Sequence, residues 1–114
     1  MTSIDWQALE PYREMMGDDF VIDILQTYLD NSQSLLAEIK SSLHNQDVSG
    51  LARAAHTLKS NSAMLGANTL AVHCRELEKA DKTEQIDSLQ PTVEILEKEH
   101  TLVCAQIKQH LSGA

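Results

Sequence analysis

Residues 50–65 read GLARAAHTLKSNSAML, and the fold turns on this stretch. Leu51, Ala55, Leu58, Ser62 and Leu65 recur at alternating steps of four and three, the spacing of a helix that packs one stripe against other helices. At about 100° per residue, His56 points roughly 140° away from the centre of that stripe. A histidine on the stripe would be read as core; this one faces water. Ala52 and Ser60 lie one turn to either side, Ser49 and Ala63 two turns away, so the imidazole stands over a floor of small side chains. Arg53 and Lys59 flank it, each roughly 60° around the axis. An accessible ring, low relief and two cations are what a helix needs to present a histidine to a phosphoryl group.

The chain on both sides supplies helices for that stripe to pack on. Ile4 to Met16 predicts a short helical segment, with Asp5 as cap, Pro11 in a first turn and Gly17 as a left-handed stop. Trp6, Leu9 and Tyr12 are its anchoring face, a lid for one end of a bundle. From Asp18 or Asp19 to about His44 runs a long helical pattern. Its seam is Val21, Leu25, Tyr28, Ser32, Leu35 and Ile39, widened by Phe20, Ile24, Leu36 and Leu43. Asp30-Asn31-Ser32 are poor interior residues and mark a candidate kink.

Asn45-Gln46-Asp47 makes the turn into the His56 helix, which Asp47 or Ser49 caps and Gly66 ends. Asn68 then caps a short helix with Leu70, Cys74 and Leu77 facing inward. Ala80-Asp81-Lys82 is the next break. The last helix runs from about Pro91 to Leu111, with Val93, Leu96, His100, Val103, Ile107 and Leu111 inside and Cys104 alongside. Loops are short, so the economical arrangement is all-α: an antiparallel up-down four-helix bundle with the N-terminal segment packed on one end. No internal repeat or low-complexity linker interrupts it. Residues 1–114 are expected to form a single domain.

Composition narrows the function. The net charge is −8, and no basic stripe exists to neutralise nucleic-acid phosphates. Two cysteines, Cys74 and Cys104, cannot build a disulfide framework, and no signal peptide or apolar span is visible. Cytoplasmic location and no membrane insertion are therefore expected.

Ala55-His56-Thr57-Leu58-Lys59, the small residues after them, Leu65-Gly66-Ala67, Leu70, Cys74 and the pair Leu77-Glu78 together resemble the histidine-containing phosphotransfer (HPt) domains of multistep two-component phosphorelays. The resemblance covers Gly50 to Ala80 closely and the flanking helices by length and pattern. One departure stands out: the family usually carries Gly where this chain has Ser60. The resemblance implies a phosphorelay intermediate in which His56 accepts a phosphoryl group from a receiver-domain aspartate and passes it to another. It names response-regulator receiver domains and a hybrid sensor histidine kinase as partners. It also matches Glu78 to a position where relatives carry a polar side chain near the active histidine, from which Glu78 could hydrogen-bond the other ring nitrogen and fix its tautomer, or else be plain surface.

The chemistry is consistent with a carrier. An ordinary imidazole, with a pKa near ~6.5, is substantially neutral near pH 7 and so nucleophilic. Lys59, one turn on, is placed to meet the phosphoryl oxygens; Arg53 could steer docking, and Ser60, Ala52 and Ala63 leave room for approach. No Gly-rich phosphate loop occurs, so the chain is read as a phosphocarrier without an ATP site rather than an enzyme. Sensor kinases with an exposed histidine typically follow it with an acidic residue; here Thr57 does. No carboxylate cluster sits beside His56, so no cofactor or metal is expected in the chain, and the aspartate and Mg²⁺ come from the partner. A monomer is expected. The alternative is a helical adaptor that docks receiver or kinase domains and is never phosphorylated.

The remaining candidates read as structural. His100 and Cys104 form a His-x-x-x-Cys pair on the apolar face of the last helix, two ligands short of a zinc site. His44 and His110 lie near helix ends where a cation suits the dipole. His73 faces differently from its neighbour Cys74, itself a buried apolar residue, and Asn61 and Ser62 satisfy polar needs at the helix seam.

Overall fold

The computed structural model describes residues 4–80 and 86–113. Its elements are a 3-10 turn Trp6–Leu9 and helices α1 (Glu10–Met16), α2 (Asp18–His44), α3 (Val48–Met64), α4 (Asn68–Glu78) and α5 (Gln90–Leu111), with a second 3-10 turn Ile86–Leu89 leading into α5. The four longer helices form the bundle expected of the sequence. Consecutive helices pack on one another and α5 closes back against α2. The longest extent is 45 Å, and the 27 residues of α2 alone span about 40 Å at 1.5 Å each.

One apolar core runs through the bundle. Leu25, Ile39, Leu51, Leu58, Leu70, Leu77, Leu96 and Ile107 are fully buried within it. Each such side chain stabilises the fold by about 1.5–3 kcal/mol relative to an exposed position. The stripe on α3 lies where its spacing puts it, with Leu51, Ala55, Leu58 and Ser62 inside. On α2 the seam differs by one residue from the expected path. Leu36 is buried and Leu35 only half-buried, because the buried line runs Ser32–Leu36–Ile39–Leu43. Asp30-Asn31-Ser32 lies within the continuous α2, where Ser32 is buried and its Oγ bonds His100 Nε2 on α5 at 2.7 Å. A tertiary partner for the hydroxyl removes its reason to turn back on the backbone.

The turns place the helix that matters. Asp47 caps α3, its Oδ1 accepting from Gly50 N–H at 3.0 Å. A Cβ on residue 50 would stand 2.4 Å from the Asp47 carboxylate, so any larger residue there would push the capping side chain aside. At the other end Gly66 has φ +80°. Its N–H reaches Ala63 O at 3.1 Å and the N–H of Ala67 reaches Ser62 O at 2.9 Å, a Schellman stop. Gly66 O also accepts from Asp5 N–H at 2.8 Å, and a Cβ there would lie 2.2 Å from Asp5 O. The residue that ends α3 thus also fastens the N-terminal segment. Trp6 completes that fastening by stacking on His110 of α5, ring centroids 4.4 Å apart.

Two expectations move slightly. The N-terminal segment begins as a 3-10 turn capped by Asp5 before α1 starts at Glu10. The N-cap of α4 is Ala67 rather than Asn68, with no side-chain bond. Of the break expected at Ala80-Asp81-Lys82, Asp81 and Lys82 lie outside the described residues.

Candidate functional site

α3 carries His56 on its outward face, with 60% of the side chain exposed. Ser60 and Ala63 beside it are exposed and Ala52 is half-buried, so no large side chain of α3 stands over the ring. Ser60 Oγ donates back to His56 O at 3.2 Å and Thr57 Oγ1 to Arg53 O at 3.3 Å, which draws both hydroxyls down against the helix. Arg53 is exposed and makes no ion pair among the described residues.

The other side of the ring is closed by α4. Glu78, its last residue, approaches His56 Nδ1 to 2.6 Å through Oε1. Its second oxygen, Oε2, holds Lys59 Nζ in an ion pair. Lys59 and Glu78 are each about a quarter exposed, at 25% and 27%, so the lysine lies along the bundle rather than standing in solvent. The ammonium of Lys59, and after it the His56 hydrogen bond, hold the Glu78 carboxyl below the usual carboxylate range. An ionised carboxylate only accepts, so Nδ1 carries the proton. Nε2 is then the nitrogen facing outward, and nothing among the described residues bonds to it.

The hairpin explains why these residues meet. His56 lies ten residues before Gly66 and Glu78 twelve after it, so antiparallel helices of equal rise bring them nearly level. That arithmetic is legible in the sequence. The double engagement of Glu78 is not, because it depends on the rotamer Lys59 adopts over α4.

Two clefts run along the α2–α3 flank. One, of about 250 Å³, is lined by Phe20, Ile24, Tyr28, Asn61 and Met64 among others. The next contains Glu38, Asp47, Arg53 and Thr57. Neither is lined by His56.

The remaining singled-out residues are elsewhere. Ser62 is buried and paired with Tyr28 OH at 2.8 Å. Cys74 is buried under the site, its thiol pushed up to about 12 by burial and held as an inert neutral group. His100 and Cys104 form a separate cluster with Ser32, Cys104 Sγ lying 3.3 Å from His100 Nε2. His73 is half-buried on α4, with Nδ1 unpaired.

The family model described as the Hpt domain matches residues 23–112, from the first turns of α2 to just past the end of α5. The chain belongs to the Hpt domain family. Solved relatives share the whole architecture. The crystal structure of histidine-containing phosphotransfer protein B (HptB) from Pseudomonas aeruginosa PAO1 superposes with a TM-score of 0.89 at 27% identity, covering 98% of this chain and 96% of that one. The HPT domain from the Hpt sensor hybrid histidine kinase from Shewanella superposes with a TM-score of 0.82 at 24% identity, over 98% and 96% of the two chains. No curated protein matches the chain. As an Hpt domain it is a phosphocarrier of two-component signalling, in a family that works with receiver domains and histidine kinases. Among the described residues no helix is long and apolar enough to cross a membrane.

Proposed function

We propose that His56 Nε2 is the atom that carries the phosphoryl group in this Hpt domain, and that Glu78 keeps the ring in the reactive tautomer. The observation that supports this is the 2.6 Å contact between His56 Nδ1 and Glu78 Oε1 on an otherwise exposed ring. With the proton on Nδ1, the Nε2 lone pair forms the new bond to phosphorus. The bond from phosphorus to the donor's aspartyl oxygen breaks, and that oxygen leaves with the electron pair as a carboxylate. The ring becomes a phosphoimidazolium, whose charge the Glu78 carboxylate offsets, as a buried aspartate does for the histidine of a serine protease. In the return step a carboxylate oxygen of the acceptor aspartate forms the new bond to phosphorus as the P–N bond breaks, and the ring leaves as neutral imidazole, its proton still on Nδ1.

The transferring group is loose and its charge lies on the equatorial oxygens. Lys59 is the residue to meet that charge, with Arg53 on the opposite flank steering docking. Ser60, Ala52 and Ala63 let the partner approach closely. Glu78 has both oxygens engaged, by His56 and Lys59; in this reading the aspartate and the Mg²⁺ are supplied by the partner receiver domain. The chain uses no ATP of its own. Its specific partners are receiver domains of response regulators and of a hybrid kinase, met as a monomer in the cytoplasm and without nucleic acid. Residues 1–114 act as one domain.

The test is direct. Incubation with a phosphorylated receiver domain and Mg²⁺ yields an acid-labile, alkali-stable phosphate on the native protein and none on His56→Ala. Binding without label in the native protein would leave only an adaptor.

A further inference from the structure

The carboxylate of Glu78 has two claimants, His56 Nδ1 on Oε1 and Lys59 Nζ on Oε2. Lys59 is three-quarters covered in this position, its ammonium paired with Glu78 of α4. A phosphoryl group arriving at Nε2 adds close to two negative charges and three strong acceptor oxygens beside that pair. A carboxylate and a phosphoryl group then compete for one ammonium. We propose that Lys59 is a transferred cation, held by Glu78 in the resting site and handed to the phosphoryl oxygens as they reach His56. This deepens the reading of His56 as the phosphorylated residue and rests on it.

Three features favour an exchange over a fixed contact. The ammonium has three donors on a flexible four-carbon stem, so it can turn from one acceptor to the other without backbone movement. Glu78 keeps its bond to Nδ1 throughout, so the ring is not freed when the lysine leaves. Lys59 is also the larger cause of the depressed Glu78 carboxyl, so the resting ion pair is the interaction the phosphoryl group has to overcome. The consequence is energetic: removing Lys59 from the native protein costs only the difference between its two contacts. Arg53, on the opposite flank and outside any ion pair among the described residues, has no such alternative.

A double-mutant cycle on the rate of His56 phosphorylation by phosphoramidate tests this without a protein partner. Lys59→Ala is expected to slow labelling modestly in the native background. In Glu78→Gln, whose amide oxygen can still accept from Nδ1 but holds no ion pair, the same change slows it more, by about threefold or beyond, a coupling ordinary for charged groups in contact. Arg53→Ala is expected to have equal effects in both backgrounds. Independently, the Lys59 side-chain NMR signals should shift when the native protein is phosphorylated. Normal labelling with additive variants and unmoved Lys59 signals overturns the exchange but leaves His56 as carrier. Failure of phosphoramidate or a phosphorylated receiver to label His56 overturns both.

Discussion

Two histidines on two helices of this bundle have opposite fates. His56 on α3 has 60% of its side chain in solvent and a carboxylate on Nδ1. His100 on α5 is 6% exposed, and its Nε2 is shared by the Ser32 hydroxyl at 2.7 Å and the Cys104 thiol at 3.3 Å. The first has a charged partner, the Glu78 carboxylate. The second has only neutral partners, and burial, with Lys108 adding to it, pushes its pKa below the ordinary histidine value despite the opposing charge of Glu97. The same imidazole is a reaction centre in one setting and a core hydrogen-bonding group in the other. The deciding variable is the solvation and charge of the partner, not the residue type.

Exchanging the two roles by mutation should give the largest effect. His56→Ala is expected to abolish phosphoryl labelling and leave the urea midpoint nearly unchanged, since an exposed ring buries little. His100→Ala is expected to keep labelling but lower stability by about 2–4 kcal/mol, through a cavity and an unpaired buried Ser32 hydroxyl. Loss of labelling in His100→Ala, or unfolding in His56→Ala, would break the comparison.

A second substitution sharpens the exposed side of it. Ser60→Leu puts a branched side chain one turn from His56, where partner approach has to be close. Transfer from a phosphorylated receiver is expected to fall by about tenfold to a hundredfold, the scale of an ångström's misplacement, with the melting temperature within a few degrees of native. An unchanged rate would show that the partner does not dock over residue 60.

Acid separates the two histidines by stability. His100 binds a proton less readily folded than unfolded, so the unfolded chain is favoured once the solution reaches its ordinary value of about 6.5. Its contribution is therefore present above that pH and lost as pH falls below it. Glu78, also lowered in the fold, contributes above the ordinary carboxylate value of about 4.3 and loses that contribution at lower pH still. Urea midpoints measured downward from pH 7 should decline first in the histidine window. In His100→Gln that first decline should disappear. The smallest effect is expected of Ser60→Gly, which restores the residue usual in the family: a loss of about 0.5 kcal/mol in helix stability and a faster transfer step.

Much of this was readable before any coordinates. The four-three spacing on α3 carries its own proof of which face is buried, because periodicity is a property of one helix and needs no partner. The exposure of His56 followed from the same spacing, as did the small residues around it. What failed was decided between helices. Nothing local distinguishes Leu35 from Leu36 on α2, and the buried line passes through Leu36 because of where α3 and α5 press on it. Asp30-Asn31-Ser32 reads as poor helix interior because a serine alone would bond its own backbone; His100, sixty-eight residues away, pairs with that hydroxyl, a partner no local pattern shows.

By itself, then, the amino-acid order determined a helical bundle and which imidazole points outward, since both follow from repeats shorter than three turns. Only the packed molecule decided what touches that imidazole. The hairpin turning at Gly66 levels Glu78 with His56, and side-chain rotamers on two helices let one carboxylate take both the ring nitrogen and the Lys59 ammonium. Contacts of that kind depend on separation in space across a low-relief seam, a quantity that spacing along a single helix does not contain.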